Sequence, residues 1–291
     1  MSGPQPGSAE WLRYMTASKI ATVVGTSPYE SPFALWHRMH GDLPQQEQTE
    51  AMSLGHLLEP FLVQQAGVRH PDLELTTGRW VVHPRIEWAA ATPDGFLGDH
   101  ALVEAKTARQ AWEWREDPDA EAPHRKIGVP AGYYDQCQWQ MWVTGRAVTY
   151  VSALVDMALT ERVVPIDRGR IEYLIDAAER FMASLAAHQA PPLDGSLHTY
   201  QAVRDLHPDI DDADIEIDGA VLARWLNARS ALSLAEDENR RATSDLLDQM
   251  GSARRALLSG RPIARRQPAR GGRVALYQIS NTLEPAKEPA A

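Results

Sequence analysis

Apolar residues recur at helical spacing over 31–40 and 52–66, and short β-prone runs occupy 79–83, 86–91 and 101–106. Ahead of them, residues 11–25 read as an entry segment and a short helix, with Thr16 at the N-cap position and Gly25 as the stop. Pro60 falls inside the 52–66 helix, where a missing backbone donor predicts a kink beside Glu59. Pro93-Asp94-Gly95 is a turn sequence between the second and third strands, so the three runs read as a meander. Pro130 opens an amphipathic helix over 131–144, followed by strands at 149–155 and 160–165 and a helix over 171–188.

The pattern changes after that. Residues 191–195 are proline-rich and 205–218 carry seven acidic side chains, which together read as a boundary. The expected division is a domain over 1–200, an acidic linker over 201–218 and an extension over 219–291. Within the extension, 221–259 reads as helical, either a hairpin or one helix broken near Gly251, and 262–279 closes as a β-hairpin around Gly271-Gly272. No internal repeat is present. Strands and helices interspersed in this way define an α/β (α+β) fold with a mixed central sheet flanked by helices, plus a C-terminal helical and β-hairpin extension.

Composition narrows the chemistry. The lone cysteine, Cys137, excludes an internal disulfide and a four-cysteine zinc or iron-sulfur site within one chain. No run approaches the ~20 apolar residues of a membrane span, and the first ten residues lack a basic, apolar leader, which predicts a cytoplasmic protein with no membrane partner. A formal charge of -10 argues against nucleic acid until its distribution is considered. Seven arginines (254, 255, 261, 265, 266, 270 and 273) fall in a stretch without an acid, leaving about -17 on the remainder. That tail is expected to engage DNA or a partner, or else to pair with the acidic stretch 205–218.

The segment Thr92-Pro93-Asp94-Gly95-Phe96, then Leu102-Val103-Glu104-Ala105-Lys106-Thr107, carries the most chemistry. Residues two apart on a strand share a face, so Glu104 and Lys106 project together while Ala105 points away. With Asp94 alongside, two carboxylates and an ammonium would meet at one sheet edge. Carboxylates of this kind suit a hard divalent cation, Mg²⁺ with Mn²⁺ as a substitute, and phosphodiester hydrolysis is the chemistry such a site serves. Lys106 would orient the attacking water or stabilise developing charge, and Glu59 on its helix would complete the shell or hold a second ion. Alone, Pro-Asp-Gly is a common turn and Glu-x-Lys a common solvated pair. Tyr133, Gln136 and Gln140 sit at helical spacing beside Cys137 and Met141, which makes Gln136 a candidate for positioning the lysine or the water. His37 and His40 lack a third ligand and read as surface helix histidines, and the run 209–218 lacks the glycine and glutamate of a calcium loop.

The ordered set Thr16-Ala17-Ser18, Gly55 with Glu59, Thr92-Pro93-Asp94-Gly95, Glu104-Ala105-Lys106 and Gln136-Cys137-Gln138-Trp139-Gln140-Met141-Trp142-Val143-Thr144 resembles the YqaJ-type, lambda-exonuclease-like viral recombinase family of the PD-(D/E)XK nuclease superfamily. The resemblance covers roughly residues 11–155 and implies a restriction-endonuclease-like core. It implies a 5′-to-3′ exonuclease on double-stranded DNA ends that leaves 3′ overhangs for a single-strand annealing protein, acting as a ring-shaped homo-oligomer, possibly a trimer, of phage or prophage origin. Carried over by position, Asp94, Glu104 and the Ala105 backbone carbonyl bind metal, Glu59 supports a second metal, Lys106 assists the nucleophile and Gln136 orients the centre. Ser18 and Thr92 would lie at a 5′ phosphate, with Arg13 as a further anchor and Tyr133 on the DNA side. Two other readings stay open: an end-binding recombination scaffold without cleavage, and a structure-specific endonuclease of the same superfamily.

Overall fold

The computed structural model describes residues 3–45, 48–269 and 274–279. The chain divides after Ile210 into two compact units, Met1–Ile210 and Asp211–Ala291. The first begins with a 3-10 turn, Trp11–Arg13, and helices α1 (Ala17–Val23), α2 (Pro32–His40) and α3 (Glu50–Arg69). Local chemistry sets these ends. Ser31 caps α2 by accepting from the Ala34 N–H, with Pro32 as the first helical residue, and Thr49 caps α3 by accepting from the Met52 N–H. Pro60 leaves α3 unbroken as a twenty-residue helix.

Five strands build the main sheet in the order β1 (Leu75–Thr77), β4 (Gly95–Leu97), β5 (Ala101–Ala108), β6 (Val148–Val155), β7 (Ala158–Pro165). The β5–β6 pair is parallel and every other pair antiparallel. Between β5 and β6 the chain passes through the short α4 (Pro123–Lys126) and α5 (Ala131–Thr144), and after β7 it continues into α6 (Arg168–Ala186) and α7 (Leu197–Leu206). Two strands, β2 (Val81–His83) and β3 (Ile86–Ala91), pair only with each other and, through a bridge from Ala89, with Met15.

Here the meander expected from the sequence is corrected. A three-residue strand, β4, forms after the Asp94 turn and takes the antiparallel edge of β5, so the Pro93-Asp94-Gly95 turn leads into β4 rather than linking β3 to β5. Strands as short as β1 and β4 show no alternation to read.

The sheet is sandwiched by side chains of alternate parity. Ala101 and Val103 of β5 face Val63 and Ala66 of α3, whereas Leu102 faces Cys137 and Met141 of α5 with Val151 and Ala153 of β6. Leu102 and Val103 are wholly buried, each contributing about 1.5–3 kcal/mol. Helix α5 also meets α1 and α6 in a second cluster around Trp139 and Leu174, and the Trp139 indole donates to the Ala90 carbonyl at 3.1 Å. Helix α7 belongs to this unit too, because Ala202 packs with Phe33, Ala34 and Leu43. The first unit thus extends past residue 200 into the segment 201–218 read as a linker.

The second unit holds α8 (Gly219–Met250), capped by Asp218, and a three-stranded antiparallel sheet, β8 (Arg255–Leu258), β9 (Arg261–Pro268) and β10 (Val274–Gln278), with β9 central. Of the two sequence readings, the single helix ending at Gly251 is the one seen. Residues 255–258, read as helical, are a strand, since Ser259 and Gly260 adopt φ of 49° and 77° and turn the chain back on itself. The pairing of β9 with β10 gives the expected hairpin, while Gly271-Gly272, Arg270 and Arg273 lie outside the described residues. No described helix is long and apolar enough to cross a membrane.

Candidate active site

The antiparallel register Gly95↔Val103 brings Asp94 alongside the middle of β5. There the Asp94 Oδ2 accepts from the Ala105 N–H at 2.7 Å. On the face of β5 turned to α5, Lys106 Nζ donates to Glu104 Oε1 at 2.5 Å, and Gln140 Nε2 donates to Glu104 Oε2 at 2.8 Å. Lys106 also lies 4.9 Å from the centre of the Tyr133 ring. The period-two alternation of the strand and the i, i+7 spacing of Tyr133 and Gln140 therefore assemble one polar cluster inside an apolar sandwich.

Charge accumulates in this cluster. Burial, the neighbouring Glu104 carboxylate and the Glu59 carboxylate hold the Asp94 carboxyl well above its ordinary range, with Lys106 and the Ala105 N–H opposing. Burial alone would lower the Lys106 ammonium, but Glu104 and Asp94 outweigh it and raise it above its usual value, so it is a fixed positive charge. Glu59, half-buried on α3, is near enough to act on Asp94 electrostatically. The Gln140 Oε1 is buried with no hydrogen-bond partner. Cys137 lies buried under the cluster, and burial pushes its thiol up, which makes it inert packing.

An excess of carboxylate over ammonium in a shielded site, beside an orphaned amide oxygen, fits a hard divalent cation. Among the described residues no three His, Cys, Asp or Glu side chains stand close enough to hold a metal by themselves. The donor set that the family resemblance implies is Asp94, Glu104 and the Ala105 carbonyl, with Glu59 in support; of these, Asp94 meets the Ala105 backbone and Glu104 directly precedes Ala105 on the same strand.

Other residues singled out in the sequence are placed as follows. Gln136 is half-buried on α5 and makes no side-chain hydrogen bond among the described residues, so its amide is uncommitted. Gln138 is structural, bonding the Pro165 carbonyl and the Asp167 N–H. Ser18 and Arg13 are exposed, and so is Thr92. A parallel bridge pairs Met15 with Ala89, three residues before Ser18 and Thr92 respectively. Thr16 sits at the N-cap of α1 without capping it, and its hydroxyl meets that of Ser18 at 3.2 Å. Lys19 ties down the segment before it by donating to the Trp11 and Tyr14 carbonyls at 2.9 and 2.7 Å. Burial pulls this ammonium down to about 7, against Glu30.

Two residues escape sequence reasoning. The Tyr29 hydroxyl meets that of Tyr133 at 3.3 Å and continues the wall beside Lys106 out to solvent. Burial first, then this bond, raises the Tyr133 phenol. Gly78 donates its N–H to the Asp94 carbonyl, and a Cβ there would stand 1.9 Å from the Pro93 carbonyl oxygen. Gly78→Ala is accordingly expected to displace the Asp94 turn, cutting the rate of any reaction at this site at least tenfold. Parallel activity and melting measurements check this; an alanine variant with wild-type turnover would show the turn to be adaptable.

The site thus combines an acid in the turn before a short strand, an acid and a lysine two apart on the next strand, and a glutamine on the flanking helix that braces one of the acids. Residues 10–147, a little under half of the chain, match the family model described as the YqaJ-like viral recombinase domain. The uncharacterized protein YqaJ of Bacillus subtilis (strain 168) is 26% identical over 200 residues, 64% of this chain and 59% of that protein. The match thus spans less than two thirds of that relative. Among solved structures, the alkaline exonuclease LHK-Exo of Laribacter hongkongensis is 25% identical, with 62% of this chain and 94% of the other covered and a TM-score of 0.46. A putative exonuclease from Eubacterium rectale is 13% identical over 74% of this chain and 97% of the other, with a TM-score of 0.48.

Proposed function

We propose that this chain is a metal-dependent exonuclease that degrades one strand of duplex DNA from its 5′ end, leaving a 3′ overhang for an annealing partner. The observation that carries the reading is the convergence of Asp94, Glu104 and Lys106 at the shielded middle of β5, with Gln140 bracing Glu104. The recombinase-domain match supports the same reading, and the 5′-to-3′ direction and the annealing partner rest on the family resemblance.

In this proposal Asp94, Glu104 and the Ala105 carbonyl hold Mg²⁺, for which Mn²⁺ substitutes, and Glu59 supports a second ion. Such an ion supplies hydroxide at neutral pH and neutralises charge on the phosphoryl oxygens. Lys106, held by Glu104, presents its ammonium to the developing charge. Gln136 orients the attacking water, while Gln140 acts only through Glu104. Ser18, Thr92 and Arg13 receive the 5′ phosphate, and Tyr133 lines the path of the strand. A cytoplasmic ring of several copies around the duplex is part of the proposal, since a bore lined by basic groups would reconcile an acidic chain with a DNA substrate.

The test uses linear duplex labelled at either end. With Mg²⁺, a 5′ label is expected to be released early as a mononucleotide while a 3′ label stays in a long strand. Chelator, or Ca²⁺ alone, should stop release, and a 5′ hydroxyl should slow it relative to a 5′ phosphate. Binding without cutting under every metal condition would establish an end-binding scaffold instead. Internal fragments would establish an endonuclease.

A further inference from the structure

The second unit carries chemistry that the cutting centre does not use. Five arginines, 254, 255, 261, 265 and 266, lie on or beside β8 and β9, and no acid occurs from Gln249 to Ile279. The ion pairs of α8, Arg240 with Asp237 and Arg241 with Glu238, are internal to that helix. Among the described residues of the second unit, no ion pair joins a sheet arginine to an acid.

Register sharpens the point. Arg255 is the direct cross-strand partner of Arg265, and Arg265 that of Tyr277, so the three form one row across the sheet. Like charges on directly paired positions destabilise a sheet. Among the described residues the return for this pair is a distant cation–π contact: Arg265 leans over the Tyr277 ring, 6.0 Å from its centre, and Tyr277 is half exposed. Local rules broken for so small a structural return mark places where a ligand is met. Beside the row is a groove of about 580 Å³, lined by Arg254, Arg255, Pro262, Arg265, Gln278 and Ile279. Its walls alternate guanidinium groups with aliphatic carbon.

We infer that this sheet binds single-stranded DNA, with Arg255 and Arg265 on successive phosphates and Tyr277 and the aliphatic groove wall against the bases. Charge selects a polyanion, and the wall selects its form. A duplex presents phosphates and groove edges with its bases stacked away, leaving an exposed tyrosine and a proline–isoleucine wall without a partner. A single strand offers base faces and phosphates together, and stacking on an aromatic beside arginine tolerates any sequence. Under the proposed function, on which this inference rests for its biological substrate, that strand is the overhang the cutting centre leaves.

The experiment measures binding of the full chain to fluorescent oligothymidine and to a hairpin duplex of equal charge, across a salt series in chelator, so that no cutting contributes. Each phosphate contact on a single strand steepens the plot of log affinity against log salt by about 0.7. Arg255→Gln with Arg265→Gln is expected to flatten the single-strand slope by about 1.4 on that basis. Arg255→Lys with Arg265→Lys should keep the slope, and Tyr277→Ala should weaken affinity several-fold with the slope unchanged. Circular dichroism on each variant establishes that the sheet persists. An unchanged slope in the folded glutamine variant, or losses as large on the duplex as on the single strand, overturns the assignment. Wild-type cutting of linear duplex is assayed alongside: cutting with no single-strand effect defeats this inference alone, and loss of cutting with the effect intact defeats only the nuclease reading.

Discussion

Asp94→Asn, Glu104→Gln and Lys106→Met are each expected to lower the cutting rate at least about a hundredfold, because each removes charge from a site whose work is electrostatic. The three act on one another, with Lys106 held by Glu104 at 2.5 Å and raised by both acids, so combining them should cost little more than the worst single change. The substitutions are close to isosteric, and the amide in Asp94→Asn retains an oxygen for the Ala105 N–H, so melting should move by only a few degrees. Asp94→Asn should melt no lower than wild type in the absence of metal, because it removes a negative charge that burial and Glu104 already disfavour. Gln140→Leu belongs to the same series at smaller size: it frees Glu104 Oε2 from its bond and should cost about ten- to a hundredfold, the usual range for a group that holds a metal ligand in place. Single-turnover kinetics on linear duplex with Mg²⁺ checks all four. Near wild-type turnover in any of the first three variants would remove that residue from the chemistry.

The cluster was legible in the sequence to the extent that local periodicity fixes it. Glu104 and Lys106 share a face because a strand repeats every two residues, and their partners on α5 share a stripe because a helix repeats every 3.6. What joins the two is tertiary. Gln140 is 36 residues from Glu104, and nothing in the helix alone ranks it above Gln136 as the neighbour of that carboxylate. Tyr29 reaches Tyr133 from a loop 104 residues away. The failure at the meander has the same origin. The edge of β5 goes to a three-residue strand, and pairing energy shared across a sheet overrides what so short a run can encode. Gly78 is invisible for a different reason, since its requirement comes from a backbone passing within contact of Pro93 and not from its own conformation. In the second unit, Leu257-Leu258 favours a helix locally and becomes a strand because Ser259-Gly260 turns the chain and β9 supplies a partner.

Removing Arg170 is expected to be among the most destabilising single changes in the first unit. Asp135 of α5 is 1% exposed at its side chain and is held bidentately by Arg170 of α6, at 2.7 and 2.8 Å, with the Thr26 hydroxyl donating to it at 2.6 Å. This carboxylate joins α6 and the loop after α1 to α5, the helix that also carries Tyr133 and Gln140. Arg170→Met would leave it buried with one neutral donor. Breaking a buried pair from the side that strands the charge costs about 3–5 kcal/mol; because the Arg170 side chain is 30% exposed and water can enter in its place, about 3 kcal/mol is expected here. Asp135→Asn should cost less, since the stranded group is then a guanidinium that reaches solvent. The double variant, Arg170→Met with Asp135→Leu, should recover much of the loss, because no charge is left to bury and two apolar groups fill similar space. Urea unfolding of the wild type, Arg170→Met, Asp135→Leu and the double gives the complete cycle, with Asp135→Asn measured alongside. Equal losses in the two single variants, with no recovery in the double, would show that the pair acts through packing rather than through the buried charge.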